Sequence, residues 1–265
     1  VGGADTESAL LGSGVHQPGE TGAVLGTTTP VQMVTAAPVI DPGGRLWTSC
    51  HVVPDRWVLE SNAGDTGGAY RWLLELVYGG TDAAAHAAAE AAMAAAEPGE
   101  RQIFCHLGPV IFSLADMSPF KPAGMLFRFP LLHIDRPIRG EVLRAYLESI
   151  AYAIRGNCEQ IAAVAHRSIP LLTVSGGMTQ SPTLVQLVAD TLGVPVSVAA
   201  VTESASLGCA MLAAVGAGVC ASTAEAVSAM TSARRVDPDA RRTAACDERY
   251  RKWRGVYDLL QTWTL

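Results

Sequence analysis

The chain has 265 residues, 49% apolar and 17% charged, enough to bury a sizeable core as one large domain or two small ones. Its 19 basic and 25 acidic residues leave a net charge of −6, which offers no electrostatic footprint for nucleic acid or an anionic membrane and favours small-molecule work. The most apolar stretch, 150–164, is interrupted by Arg155, Asn157 and Glu159, which argues against a spanning helix. Cys50, Cys105, Cys158, Cys209, Cys220 and Cys246 lie far apart without a CxxC pair, so neither a zinc site nor a disulfide framework is expected and a reducing cytoplasm fits. The opening Val-Gly-Gly-Ala-Asp has neither an initiator Met nor a basic-then-apolar leader, and reads as the interior of a longer chain.

In chain order, residues 1–62 alternate glycine or proline turns with β-rich runs, predicting strands at 22–28, 31–36, 45–53 and 57–61. Ala69, Trp72, Leu73 and Leu76 return at helical spacing and predict a helix over 67–77. An alanine-rich helix follows over 81–97, stopped by Pro98 and Gly99. Short apolar runs at 103–107 and 110–114 precede a loop rich in proline and glycine, and no element type is assigned there. The longest predicted helix, 140–165, carries Leu143, Leu147, Ile150, Ile154 and Ile161 on one stripe, with Arg144 and Glu148 paired four residues apart. A clear α/β unit comes next: strand 169–174, the turn Ser-Gly-Gly-Met-Thr-Gln, helix 182–192, strand 194–198 and helix 203–215. Ser181 is a good cap for its helix, and Pro182 suits the first helical position. A terminal helix puts Tyr250, Trp253, Tyr257 and Leu260 on a face expected to pack on the body. Neither an internal repeat nor an interdomain linker is evident.

Three constellations are candidates for chemistry. Asp5, after Gly2-Gly3-Ala4, would either expose a carboxylate to a bound hydroxyl or simply cap a helix starting at Thr6. The run Leu25-Gly26-Thr27-Thr28-Thr29-Pro30 would bring backbone N–H groups and uncharged hydroxyls to a phosphate, or form an ordinary threonine-rich hairpin. Gly176-Gly177 would let a nucleotide lie against backbone before a helix N-terminus, or serve packing alone. The pattern is not GxGxxG and has no acidic residue about 20 positions on, so a dinucleotide site is a poor fit.

Order and spacing of these elements resemble the C-terminal half of the FGGY carbohydrate kinases, the group that includes xylulose, ribulose, gluconate and glycerol kinases. The resemblance runs nearly end to end: Gly2-Gly3-Ala4-Asp5, Pro18-Gly19, Gly26-Thr27-Thr28, the glycine-then-Trp helix of Gly67 to Trp72, and Arg144 to Tyr152. Its most specific block is Ser175-Gly176-Gly177-Met178-Thr179-Gln180-Ser181-Pro182, followed by Gln186, Ala189-Asp190, Val194-Pro195-Val196 and Glu203 to Ala210.

The resemblance implies an α/β ribonuclease H-like, actin-like ATPase domain, a mixed sheet flanked by helices. Residues 1–265 would form the nucleotide-binding half, and the sugar-binding N-terminal domain would lie outside this chain. It implies ATP and Mg²⁺ as cofactors, a sugar or polyol substrate, the protein's own N-terminal domain as partner, and a homodimer as an admissible assembly. Asp5 would be the general base, with Mg²⁺ nearby and its other ligands in the absent domain. Gly26 and Thr27, with Thr28 beside them, would meet the terminal phosphates. Gly67 and Arg71 would lie along the nucleotide, and Gly177 and Ser181, with Gly176 in the same turn, would hold the α-phosphate and adenosine end. Thr6, Ala4, Thr28-Thr29, Met178 and Arg71 depart from the commoner family residues. Those departures support an alternative reading, a catalytically inactive nucleotide-binding or regulatory module; a chaperone-like or cytoskeletal actin-like ATPase is a third. The isolated chain is expected not to turn over.

Overall fold

A computed structural model describes residues 3–96, 102–118, 122–128 and 138–262. Its main sheet is built from β1 (Thr21–Val24), β2 (Thr28–Thr35), β3 (Trp47–Cys50), β4 (Trp57–Asp65), and later in the chain β7 (Leu172–Ser175), β8 (Val196–Ala199) and β9 (Ala233–Val236). The order across it is β3-β4-β2-β1-β7-β8-β9. The first half is antiparallel, Ala23 opposing Val31 and Val31 opposing Ser61; short connections join β1 to β2 and β3 to β4, while β2 reaches its neighbour β4 by way of β3. At β1 the sheet turns parallel, Ala23 opposing Val174 and Thr173 opposing Ser197, since β7 and β8 arrive by helical crossovers. A separate hairpin joins β5 (Gln102–His106) and β6 (Gly124–Arg128).

Helices α1 (Asp5–Gly12), α2 (Gly67–Tyr78), α3 (Ala83–Ala95), α4 (Arg139–Ala165), α5 (Pro182–Leu192), α6 (Ser204–Gly216), α7 (Thr223–Met230) and α8 (Ala240–Thr262) surround these sheets. The stripe expected on the longest helix is buried in α4: Leu143, Leu147, Ile150, Ile154 and Ile161 all face the core. Burying Asn157 on the same helix would cost several kcal/mol without partners. It is satisfied throughout: Ser61 Oγ and the Phe112 N–H donate to Oδ1, and Nδ2 donates to the carbonyls of Val110 and Ala153. The aromatic face of α8 closes the core, with the Trp253 indole donating to the Cys105 carbonyl at 2.8 Å and the Tyr257 hydroxyl clasping both backbone groups of Ile111. Leu260 stays half-buried.

Several boundaries differ from expectation for identifiable reasons. The predicted strand 22–28 breaks after Val24, because the Gly26 N–H turns back onto the carbonyls of Val24 and Thr28. The strand predicted at 45–53 shortens to Trp47–Cys50, and those predicted at 169–174 and 194–198 begin only after Pro170 and Pro195, which have no N–H for a ladder. In α2 the buried residues are Tyr70, Leu73 and Leu74, while Trp72 and Leu76 are 58% and 67% exposed. Elements α7 and β9 escaped the sequence reading. The expected stop of α3 at Pro98 and Gly99, and parts of the loop before α4, lie outside the described residues.

Helix α1 meets α6 at unusually short range. A Cβ on Gly12 would stand 1.9 Å from the Ser204 carbonyl oxygen, and one on Gly208 1.9 Å from that of Ser8, so backbone lies directly on backbone. This contact fixes the helix that begins with Asp5.

Candidate active site

The site is built where β1 and β7 end side by side. The Leu25 N–H donates to the Ser175 carbonyl at 2.7 Å, and the Met178 N–H returns to the Leu25 carbonyl at 3.1 Å, locking the two loops together. Gly176 sits between them at φ 95°, where a Cβ would be 2.6 Å from the Leu25 oxygen, so both its conformation and the space require glycine. The next loop folds over the start of α2: the Gly67 and Gly68 N–H groups donate to the Thr27 carbonyl at 2.9 and 3.3 Å. Below it, the Thr29 and Thr66 hydroxyls pair at 2.7 Å, and the buried Tyr146 hydroxyl on α4 donates to the Thr66 carbonyl at 2.6 Å.

These loops and α3 enclose a cavity of about 710 Å³. Of the residues singled out from sequence, Gly26, Thr27, Gly67, Arg71, Gly177 and Ser181 line it. Thr28 and Gly176 do not; Thr28 opens β2 opposite Asp65, and Gly176 is spent on the loop contact just described. The Gly26 N–H is likewise committed within its own turn, which leaves it less free for a phosphate than the motif suggests. Added to the set are residues that sequence reasoning missed, among them Tyr70, His86, Glu90, Leu147, Met178 and Gln180. The Tyr70 and His86 rings lie 5.8 Å apart, and burial pushes the Tyr70 phenol up to about 12, so it is a neutral hydroxyl at physiological pH.

Asp5 lies outside that lining. It is the first residue of α1, exposed, with Oδ1 accepting the Thr6 N–H at 2.9 Å, so the helix starts one residue earlier than the capping alternative placed it. Two residues on, Glu7 is buried and anchored, accepting the Ser49 hydroxyl at 2.6 Å and the Thr6 hydroxyl at 2.8 Å. Burial holds the nearby His51 imidazole down at about 4, and pushes Glu60, which accepts from Gln32 Nε2 at 2.8 Å, up to about 7.

Three antiparallel strands followed by two parallel ones, with loops converging on a cavity at the ends of β1 and β7, are the ribonuclease H-like core of the actin-like ATPase fold. Residues 22–217 match the C-terminal domain of the FGGY family of carbohydrate kinases, and the chain belongs to that family. It is 29% identical to the autoinducer-2 kinase of Escherichia coli (strain K12) over 266 residues, which are 97% of this chain and 49% of that protein. Among solved structures it resembles xylulose kinase from Rhodospirillum rubrum, with a TM-score of 0.81 and 26% identity over 98% of this chain and 51% of the other. Plasmodium falciparum glycerol kinase with ADP shares the fold at a TM-score of 0.79 and 19% identity, over 98% and 51% of the two chains. The chain thus spans about half the length of the relatives it matches.

Proposed function

We propose that residues 1–265 are the nucleotide-holding half of an ATP-dependent sugar kinase, whose sugar-binding N-terminal half lies outside this chain. The observation that carries this reading is the convergence of Gly26, Thr27, Gly67, Arg71, Gly177 and Ser181, drawn from the segments after β1 and β7 and from the start of α2, on one cavity. Its volume lies within the range of small-molecule and cofactor sites. In the reaction, Asp5 accepts the proton of a hydroxyl on a ketopentose, sugar acid or polyol. That oxygen bonds to the γ-phosphorus of ATP as the bond to the bridging oxygen breaks and ADP leaves. Positioning supplies most of the rate, as is usual for phosphoryl transfer.

Mg²⁺ would offset charge on the phosphates. It is commonly held by one or two carboxylates together with substrate phosphates and water, and the exposed Asp5 carboxylate suits that donor set. Among the described residues no group of three or more His, Cys, Asp or Glu is gathered to hold a metal unaided. All six cysteines are unpaired, which supports a cytoplasmic placement. Among the described residues no helix is long and apolar enough to cross a membrane.

The test is ATP consumption by the full-length protein with Mg²⁺ across ketopentoses, sugar acids and polyols, wild type against Asp5→Asn. Turnover on one class that falls by ~10²–10⁴-fold in the variant supports the assignment. Undiminished turnover in the variant removes Asp5 as the base.

A further inference from the structure

Helix α1 begins without a side-chain cap. Ala4 stands at the N-cap and offers no acceptor to the free N–H groups of the first turn, which would leave that turn prone to fray. The turn is tied outward to β3 instead. Asp5 Oδ1 accepts the Thr6 N–H at 2.9 Å, the Thr6 hydroxyl donates to Glu7 Oε2 at 2.8 Å, and Glu7 Oε1 accepts the Ser49 hydroxyl at 2.6 Å. A continuous run of bonds thus leads from the Asp5 carboxylate to the edge strand of the main sheet. On the other side of Asp5, a Cβ on Gly3 would stand 2.4 Å from Val52 Cγ1, so the chain is pressed against the stretch 49–52 both before and after Asp5.

Glu7 is a costly side chain for that tie. It is buried, whereas Asp5, two residues earlier, is exposed. Buried carboxylates are ordinarily matched by a cation, yet the partners of Glu7 are two neutral hydroxyls. What the charge supplies is bond strength, because hydrogen bonds to an ionised acceptor are shorter and stronger than neutral ones. Packing alone does not call for it: the far end of α1 is already held by the backbone contact of Gly12 with Ser204 on α6.

Resting on the reading of Asp5 as the base, we infer that Glu7 and Ser49 are positioning residues for it. Their hydrogen bond holds the first turn of α1 against β3 and so keeps the exposed Asp5 carboxylate in one place. Both act through Asp5.

Turnover of the full-length protein is measured with ATP and the acceptor it uses best among ketopentoses, sugar acids and polyols, for Ser49→Ala and Glu7→Gln, each with Asp5 and with Asp5→Asn. With Asp5 present, kcat is expected to fall about ten- to a hundredfold in Ser49→Ala, while KM for ATP stays within about twofold. In Glu7→Gln, whose amide keeps an acceptor for only one of the two hydroxyls, the fall is about three- to tenfold. In the Asp5→Asn background both changes should cost less than about twofold, because no base is left to misplace. Glu7→Gln has nearly the wild-type shape and keeps the test decisive if Ser49→Ala melts early. Independently of turnover, hydrogen exchange at the Ser8 amide, which donates to the Ala4 carbonyl at 3.0 Å, should quicken about tenfold in Glu7→Gln and Ser49→Ala. Equal losses in the two backgrounds, full kcat in the single variants, or unaltered Ser8 exchange overturns the positioning role. No turnover by wild type, or wild-type kcat in Asp5→Asn alone, overturns the reading of Asp5 as the base, and this inference with it.

Discussion

Replacing Gly208 by Ala should destabilise the protein, against the usual direction for a helical glycine. In an unencumbered helix the change gains about 1 kcal/mol from backbone entropy and propensity. At Gly208 the new methyl carbon would sit 1.9 Å from the Ser8 carbonyl oxygen and 2.7 Å from its carbon, where real Cβ contacts essentially never fall below 3.0 Å. The obstacle is backbone, so α1 and α6 must part by more than 1 Å along a contact that is tight at Gly12 as well. Forced overpacking of this kind costs about 1–3 kcal/mol, and backbone opposition places this case near the upper end. The net loss is about 2 kcal/mol after the helical gain. For a chain of this size that lowers Tm by about 4–8 °C. Gly255, exposed in α8 with nothing within 4 Å of an added Cβ, is the matched control, and Gly255→Ala should gain about 0.5–1 kcal/mol. Urea unfolding of both variants is the assay. A Gly208→Ala protein as stable as wild type, or a Gly255→Ala protein that loses as much, would show that the α1–α6 contact does not exclude a Cβ.

Glu60 and His106 give two further predictions. Burial raises the folded-state pKa of Glu60 to about 7, above its unfolded value, so its contribution is fully present below about pH 4.5 and is lost as pH rises through 7. Glu60→Gln should therefore gain on wild type by on the order of 3 kcal/mol between pH 4.5 and 8 in pH-resolved urea melts, and a pH-independent difference contradicts this. The His106 ring is buried and stacked 5.2 Å from Trp253, and neither nitrogen has a hydrogen-bond partner among the described residues. His106→Phe should thus raise stability at pH 7 by about 1 kcal/mol. Burial holds its folded pKa down at about 4, so as pH falls from 6.5 toward 4 the unfolded imidazole takes up its proton first and wild type is destabilised further, while the variant should not be; a Phe variant that melts earlier at pH 7 rejects the idea.

Local signals carried much of this fold. Ser181 and Pro182 mark the start of α5 by chemistry confined to four residues, and the Ser181 hydroxyl does accept the Leu184 N–H. The stripe of α4 is long enough for its period to be unmistakable, and all five of its apolar positions are buried. What escaped depends on partners distant in sequence. Nothing near Glu90 in an alanine-rich helix foretells a bond to Ser181, 91 residues on. β9 has the sequence Ala-Arg-Arg-Val and is largely exposed; it is a strand because β8 offers it an edge. For α7 a signal was present, since Ser222 and Glu225 have the spacing of a capping box and the Ser222 hydroxyl accepts the Glu225 N–H. The exposure of Trp72 is a tertiary fact that periodicity does not contain: the face of α2 that the core covers holds Tyr70, Leu73 and Leu74 instead.

On the proposed reading, the cavity at the ends of β1 and β7 holds a nucleotide. The most direct measurement is calorimetric titration of ADP into the chain, wild type against Gly177→Leu. Gly177 lines the cavity with open space where its Cβ would be, so leucine fills that space without disturbing the Gly176 contact. Wild type should bind ADP saturably, and the variant, its melting unchanged, at least about tenfold more weakly, which corresponds to about 1.4 kcal/mol or more. No ADP binding by wild type, or equal binding by both proteins, would contradict the proposed reading.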